Sequence, residues 1–300
     1  MRVHYTDQFE VSLPQGHRFP MLKYRLLRER LVADLVVELE SLVVPDAATD
    51  EDLTRVHSST YVTRVRKGTL SHGEVRRLGF PWSPGLVERS CRSVGGTLGA
   101  CRRALTDGVA VTLAGGTHHA YPDRGEGYCV FNDVAVAIRT LRAEGRIGPV
   151  LVVDLDVHQG NGTAAIFRDD PTVVVLDLFA SGNYPFAKEE ARYAMPLPDG
   201  MADHEYLPVL ETALHDVLRS APVDLVVYVA GADPYVDDQL GRLALSKEGL
   251  ANRDRLVFGA CRAARLPVAV TMGGGYARRV TDTVDIHATT VRLAGQIAAR

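Results

Sequence analysis

Two carboxylates and an imidazole recur at alternate positions where an apolar, β-branched run ends, in Pro149-Val-Leu-Val-Val-Asp-Leu-Asp-Val-His-Gln-Gly-Asn-Gly162. If the run stays extended, Asp154, Asp156 and His158 face one way while Leu155 and Val157 face the other. Three groups of metal-ligand type then converge on one spot, whereas a lone Asp at a strand end would more often accept backbone hydrogen bonds. Asp233 follows a second apolar run, Val226-Val-Tyr-Val-Ala-Gly231. By itself it would as readily cap a helix or turn. Together, Asp156, His158 and Asp233 make an oxygen, nitrogen, oxygen set that leaves a coordination position for water, as catalytic zinc requires; iron(II) or cobalt suits the same donors.

Two further clusters suggest acid–base chemistry. His118 and His119 are adjacent, so a regular strand would point them to opposite faces; Gly115 and Gly116 make accessible the irregular backbone that brings both imidazoles to one site. Tyr276 follows Gly273, Gly274 and Gly275. A phenol there can donate a hydrogen bond to a developing oxyanion.

These side chains need a scaffold, and the apolar pattern supplies one. Strands are predicted at Val109 to Leu113, Val150 to Asp154, Val173 to Leu178, Leu225 to Ala230 and Pro267 to Met272. Helical spacing marks three stretches between them: Val87, Cys91, Val94, Leu98, Cys101 and Leu105; Leu207, Leu210, Leu214, Val217 and Leu218; and Leu250, Val257, Ala260, Cys261 and Ala264. The alternation predicts an α/β fold, a single mainly parallel central sheet with helices on both faces. Four strand exits carry the four polar clusters, and ligands in such sheets bind beyond the carboxyl ends of the strands.

Composition narrows the function classes. The 300 residues are 46% hydrophobic and 24% charged, with a formal net charge of -3, which suits a soluble globular protein and argues against a nucleic-acid-binding surface. No repeat or linker divides the chain, so residues 1–300 read as one domain. Cys91, Cys101, Cys129 and Cys261 are too scattered for a disulfide framework or a zinc knuckle and read as reduced thiols. No apolar run reaches the roughly 18 residues that a membrane span needs, and the first residues lack the apolar core of a leader. A cytoplasmic location without membrane contact is expected.

Gly115-Gly-Thr-His-His-Ala120, Asp154-Leu-Asp-Val-His-Gln-Gly-Asn-Gly162, Ala230-Gly-Ala-Asp233 and Gly273-Gly-Gly-Tyr276 resemble, in the same order, the active-site motifs of the histone deacetylase superfamily. The resemblance runs from about His4 to Leu293 and includes Gly16-His-Arg-Phe-Pro20. His158-Gln-Gly-Asn-Gly162, Leu176-Asp-Leu-Phe179 with Tyr184-Pro185, and Leu240-Gly-Arg-Leu-Ala-Leu-Ser246 are most similar to the class IV branch. The resemblance implies the arginase-like (histone deacetylase) fold and a zinc-dependent amidohydrolase that removes an acyl group from an amine, typically a lysine side chain in a peptide or protein. It implies zinc on Asp156, His158 and Asp233, His119 as general base and then acid, and His118 as its electrostatic partner. Tyr276 would be the oxyanion donor, Asp154 would orient His118, and Asn161 would orient His119. Class I relatives carry Asp at that last position, so the neutral Asn should raise the His119 pKa less. Gly127, Tyr128, Tyr184 and Gly274 would line the channel for the acyl-lysine stem. A structural potassium ion near Asp154, Asp156, His158, Asp177 and Leu178 is a further implication.

Three rivals differ in what they require. A binuclear arginase-type hydrolase needs bridging carboxylates that Gly231-Ala-Asp-Pro234 does not offer. A deacetylase of polyamines or other small acylated amines needs anionic groups at its mouth, for which Asp237 and Asp238 are candidates. A non-catalytic acyl-lysine binder should have lost a ligand, a His or the Tyr, and every one is present. Substrate choice turns on the rim: Gly79-Phe-Pro-Trp-Ser-Pro-Gly85 lacks the acid with which class I relatives grip a peptide backbone, while Phe80, Trp82 and Phe186 suggest an apolar mouth able to take longer fatty acyl chains.

Overall fold

The structure is a computed structural model that describes residues 1–9, 11–220 and 222–298, residue 298 by its backbone alone. Among the described residues eight strands form one sheet: β1 (Val3–His4), β2 (Leu42–Val43), β3 (Val109–Thr112), β4 (Val150–Asp154), β5 (Val173–Ala180), β6 (Tyr193–Leu197), β7 (Leu225–Ala230) and β8 (Val268–Met272). Their order is β2-β1-β3-β8-β7-β4-β5-β6, and every pairing is parallel. The five strands read from the sequence lie within a residue or two of those observed. The three that were not read are β1 and β2, too short for a pattern, and β6, which carries Pro196 and tolerates it because it is an edge strand.

The helices are α1 (Lys23–Ala33), α2 (Asp50–Thr54), α3 (Ser59–Lys67), α4 (His72–Leu78), α5 (Pro84–Asp107), α6 (Asp133–Ala143), α7 (Asn161–Phe167), α8 (Asp203–Ser220), α9 (Lys247–Ala263) and α10 (Val280–Ala298). Their starts follow local chemistry. Ser83 accepts the Leu86 N–H ahead of α5, whose first residue is Pro84, and Asn132 accepts the Ala135 N–H ahead of α6.

Period-two alternation sorts the strand residues between two apolar layers. Leu151 and Val153, Val226 and Tyr228, and Val268 and Val270 pack with α1, α8, α9 and α10 on one face. Val150 and Val152, Leu225 and Val227, and Ala269 pack with α5 and α6 on the other. A third cluster, from Leu53 through Tyr61, Phe80 and Val94 to Phe131, joins the short helices α2–α4 to α5 and supports the rim.

One sequence expectation fails locally. β4 ends at Asp154, and residues 156–158 bend instead of continuing extended. The Asp156 N–H donates to Asp154 Oδ1 (3.2 Å), and the His158 N–H donates to Asp156 Oδ1 (2.9 Å). Each carboxylate thus turns the chain two residues further on, and the ligands converge through these turns and not through the pleat.

Candidate active site

The four strands whose exits carry the polar clusters, β3, β8, β7 and β4, are consecutive in the sheet. Their carboxyl ends therefore open side by side onto one cavity of about 700 Å³. At the β3 exit, Gly115 (φ 91°) and Gly116 (φ 65°) adopt left-handed backbone; a Cβ on Gly115 would meet Thr271 Oγ1 at 2.1 Å and Asp133 Oδ2 at 2.4 Å. The Asp133 carboxylate fastens this turn by accepting from the Gly116 N–H (3.0 Å), the Thr117 N–H (2.7 Å) and Thr117 Oγ1 (2.6 Å). The two imidazoles that follow come to a ring separation of 4.2 Å on the same side, as the sequence required.

They are held differently. His118 Nδ1 lies 2.7 Å from Asp154 Oδ2. Burial opposes charge on this ring, but the Asp154 and Asp156 carboxylates outweigh it and raise its pKa to about 9. His119 Nδ1 lies 2.7 Å from Asn161 Oδ1, an oxygen that can only accept, so Nδ1 carries the proton and Nε2 is left as the basic nitrogen. Burial, then the positive His118 and His158, hold its pKa well below the usual imidazole range. Asn161 Nδ2 donates in turn to Glu126 Oε1 (2.8 Å) and Tyr121 Oη (3.2 Å).

Asp156, His158 and Asp233 are buried, and one ligand atom from each lies within 4.8 Å of the others. His158 Nδ1 stands 3.0 Å from Asp156 Oδ1 and 3.2 Å from Asp233 Oδ2. Burial opposes charge on this imidazole, but the two carboxylates outweigh it and raise its pKa to about 10, while burial and Asp156 push Asp233 up to about 7. Apart from this His158 contact, the buried Asp233 Oδ2 has no hydrogen-bond partner. A buried, converging N and O donor set with an orphaned carboxylate oxygen fits a divalent cation.

Tyr276 faces the same cavity, its ring 6.5 Å from that of His158. Burial raises the phenol well above its usual range, so it remains a donor at neutral pH. Its backbone N–H donates to Asp238 Oδ2 (2.6 Å). The preceding glycines press on the carboxylates of this donor set: the Gly274 N–H donates to Asp156 Oδ2 (2.6 Å), and a Cβ there would meet Asp233 Oδ2 at 1.9 Å. Gly274, expected along the substrate channel, thus also seats the Asp156 and Asp233 carboxylates. Gly127 (φ 55°) and Tyr128 (φ 66°) form one channel wall, the first because a Cβ would strike His119 Cδ2 at 2.6 Å. The Tyr184 ring stands 5.1 Å from that of His119, and its hydroxyl donates to Glu126 Oε1 (2.8 Å).

Several rim expectations are corrected. Phe80 is buried among His17, Phe19 and Tyr128, and Trp82 is turned inward with Nε1 donating to the Val65 carbonyl (2.7 Å); only Phe186, 86% exposed, stands at the mouth. Asp238 is unavailable to a cationic substrate because its carboxylate accepts from the N–H groups of Leu240, Gly241 and Tyr276, and Asp237 does not line the cavity. Asp177, opposite Asp154 in the β4–β5 register, accepts from the Gly160 N–H (2.9 Å), while the Leu178 side chain belongs to the core.

Three residues that the sequence reading passed over prove central. Glu126 and Asp133 are buried supports of the His119 and His118 loop. Arg253 is fully buried in α9; Nη1 donates to the carbonyls of Gly231 (2.6 Å) and Leu155 (3.3 Å), and its partner Asp254 accepts from Tyr228 Oη (2.5 Å) and Thr290 Oγ1 (2.6 Å). It thereby ties together the backbones that present Asp156 and Asp233.

Known proteins resemble this chain in sequence and in fold. Residues 16–291 match the model of the histone deacetylase domain. An uncharacterized protein of Picosynechococcus is 43% identical over 293 residues, 98% of both chains, and histone deacetylase 2 of Arabidopsis thaliana is 32% identical over 94% of this chain and 77% of its own length. The acetoin utilization protein AcuC of Bacillus subtilis is 29% identical, covering 80% of this chain and 68% of its own. Among solved structures, an HDAC homologue from Aquifex aeolicus superposes with a TM-score of 0.84 at 26% identity, over all of this chain and 84% of the other. The entirely parallel sheet has the arginase-like arrangement of these relatives, and the chain belongs to the histone deacetylase family.

Proposed function

We propose that residues 1–300 act as one zinc-dependent deacylase domain that removes an acetyl or longer acyl group from the side-chain amine of lysine in a peptide or protein. One observation carries this reading: a neutral imidazole with a free Nε2, a protonated phenol and a buried N and O donor set face a single cavity. Asp156, His158 and Asp233 would hold the zinc ion, which when bound supplies Lewis acidity toward an amide carbonyl and a more acidic water. His119 Nε2 would take a proton from the attacking water and return it to the leaving amine. His118, positive beside it, keeps His119 neutral beforehand and is oriented by Asp154. Tyr276 donates to the developing oxyanion, positioned through its backbone by Asp238. Gly127, Tyr128 and Tyr184 enclose the uncharged acyl-lysine stem.

The class IV likeness and a cytoplasmic location belong to the same reading; no helix among the described residues is long and apolar enough to cross a membrane. Potassium belongs to it as well, supported by the buried Asp177 Oδ1 that lacks a hydrogen-bond partner beside Asp154. The engagement of Asp238 weighs against a polyamine substrate. A fluorogenic acyl-lysine peptide tests the reading: turnover should vanish with a chelator and return with zinc, and Tyr276→Phe should lose about 100 to 1,000-fold in kcat. Turnover indifferent to both would overturn it.

A further inference from the structure

The cavity mouth carries a charge opposite to that of the whole chain. Arg18, Arg76, Arg77 and Arg242 line it, all exposed, whereas the one acid in the lining is Asp156, a metal ligand at the floor. The chain as a whole has a formal net charge of -3.

Three of these arginines have free head groups. Among the described residues, Arg18, Arg76 and Arg77 make no side-chain hydrogen bond or ion pair, whereas Arg64 and Arg66 on the neighbouring α3 are held by Glu74 and Asp50. Arg242 is partly neutralised by Asp199, 3.1 Å away. Their backbones, in contrast, are fixed to the channel wall. The Gly127 N–H donates to the Arg77 carbonyl (3.2 Å) and the Tyr128 N–H to that of Leu78 (2.9 Å). Arg18 follows His17, whose Nε2 meets the Gly79 carbonyl at 2.9 Å. A helix end favours basic residues, which would account for Arg76 and Arg77. It does not account for Arg18, which comes from a separate loop, nor for a rim without a free acid.

We propose that this mouth selects acyl-lysines flanked by carboxylates, that is, acidic peptide segments. The inference rests on the deacylase reading of the site. An acylated lysine has lost its charge, so the rim neither attracts nor repels the group entering the channel; discrimination falls on the residues either side of it. Guanidinium groups take carboxylates in bidentate geometry, and a cleft lined by one sign of charge concentrates the opposite sign. Acylated polyamines keep free ammonium groups and are repelled.

The test compares three peptides with the same acyl-lysine and acidic, neutral or basic flanks. At low ionic strength kcat/KM should favour the acidic peptide over the basic one by about tenfold or more, the sum of a few exposed charge pairs, and the ratio should fall toward unity as salt is added. R18E/R76E/R77E should reverse the order. Arg262→Glu, exposed at the end of α9 that leads into the amino end of β8 and outside the cavity lining, should leave the order as it is. Anisotropy of the labelled peptides gives the same comparison without turnover. Binding that favours the acidic peptide and is lost in the triple variant upholds the mouth even if no peptide is hydrolysed, a result that would sink only the deacylase reading. Equal or basic-favouring values in both assays overturn the proposal.

Discussion

His118 and His119 are neighbours in the chain and opposites in support. His118 leans on Asp154, the last residue of β4, with the carboxyl groups of Asp156 and Asp177 close by. His119 leans on a neutral amide whose other end is tied to Glu126 and, through it, to Tyr184 of the channel wall. One ring is anchored to the sheet and kept charged; the other is anchored to loops and kept neutral. A base that must accept a proton belongs in the second kind of setting, and a permanent positive neighbour belongs in the first.

The comparison breaks most sharply at the rings. His119→Ala should cost about 100 to 10,000-fold in kcat, the usual worth of a general base, and His118→Ala at least tenfold less; equal losses would remove the distinction between them. Asp154→Asn tests the charged arm: kcat/KM on the acyl-lysine peptide should drop by about 10 to 100-fold, as for other residues that orient groups around a metal.

Asn161→Asp tests the neutral arm. It places a carboxylate against Glu126 and removes two donated hydrogen bonds, so the variant should unfold at lower denaturant, by about 1 to 3 kcal/mol. Glu126→Gln should recover much of that loss. In the double variant His119 gains a carboxylate partner, its pKa rises from its depressed position, and less of it is neutral in mild acid. The acidic limb of the kcat/KM profile should therefore move to higher pH; a limb that stays put would show that Asn161 does not set the basicity of His119. Smallest of all, Tyr184→Phe removes one hydrogen bond to Glu126 and should lower kcat a few-fold, an effect of about 1 kcal/mol.

Much of this was legible in the sequence because it depends on short-range order. The four central strands are β-branched runs that end in their functional residues, so pattern and chemistry marked the same places. The edge strands β1 and β2 lack length, and β6 contains Pro196, so no local pattern announced them. Glu126 lies in Tyr121-Pro-Asp-Arg-Gly-Glu-Gly127, a stretch with the composition of an exposed turn; only its contact with Asn161, 35 residues on, reveals its place. Arg253 reads as an outer helix residue until the carbonyls of Leu155 and Gly231 appear beside it. Phe80 and Trp82 misled in the other direction, since an aromatic loop can equally pack inward.

Glu126 Oε1 receives both Asn161 Nδ2 and Tyr184 Oη. On the proposed deacylase reading, one oxygen atom therefore joins the wall facing the acyl group to the arm that aligns the base. Any substitution that widens the channel at Tyr184, for a bulkier acyl chain, also slackens the hold on His119. Change in acyl preference along this wall is thus constrained to arrive in pairs, a new side chain at Tyr184 together with a compensating donor to Glu126, and single replacements should trade reach for rate.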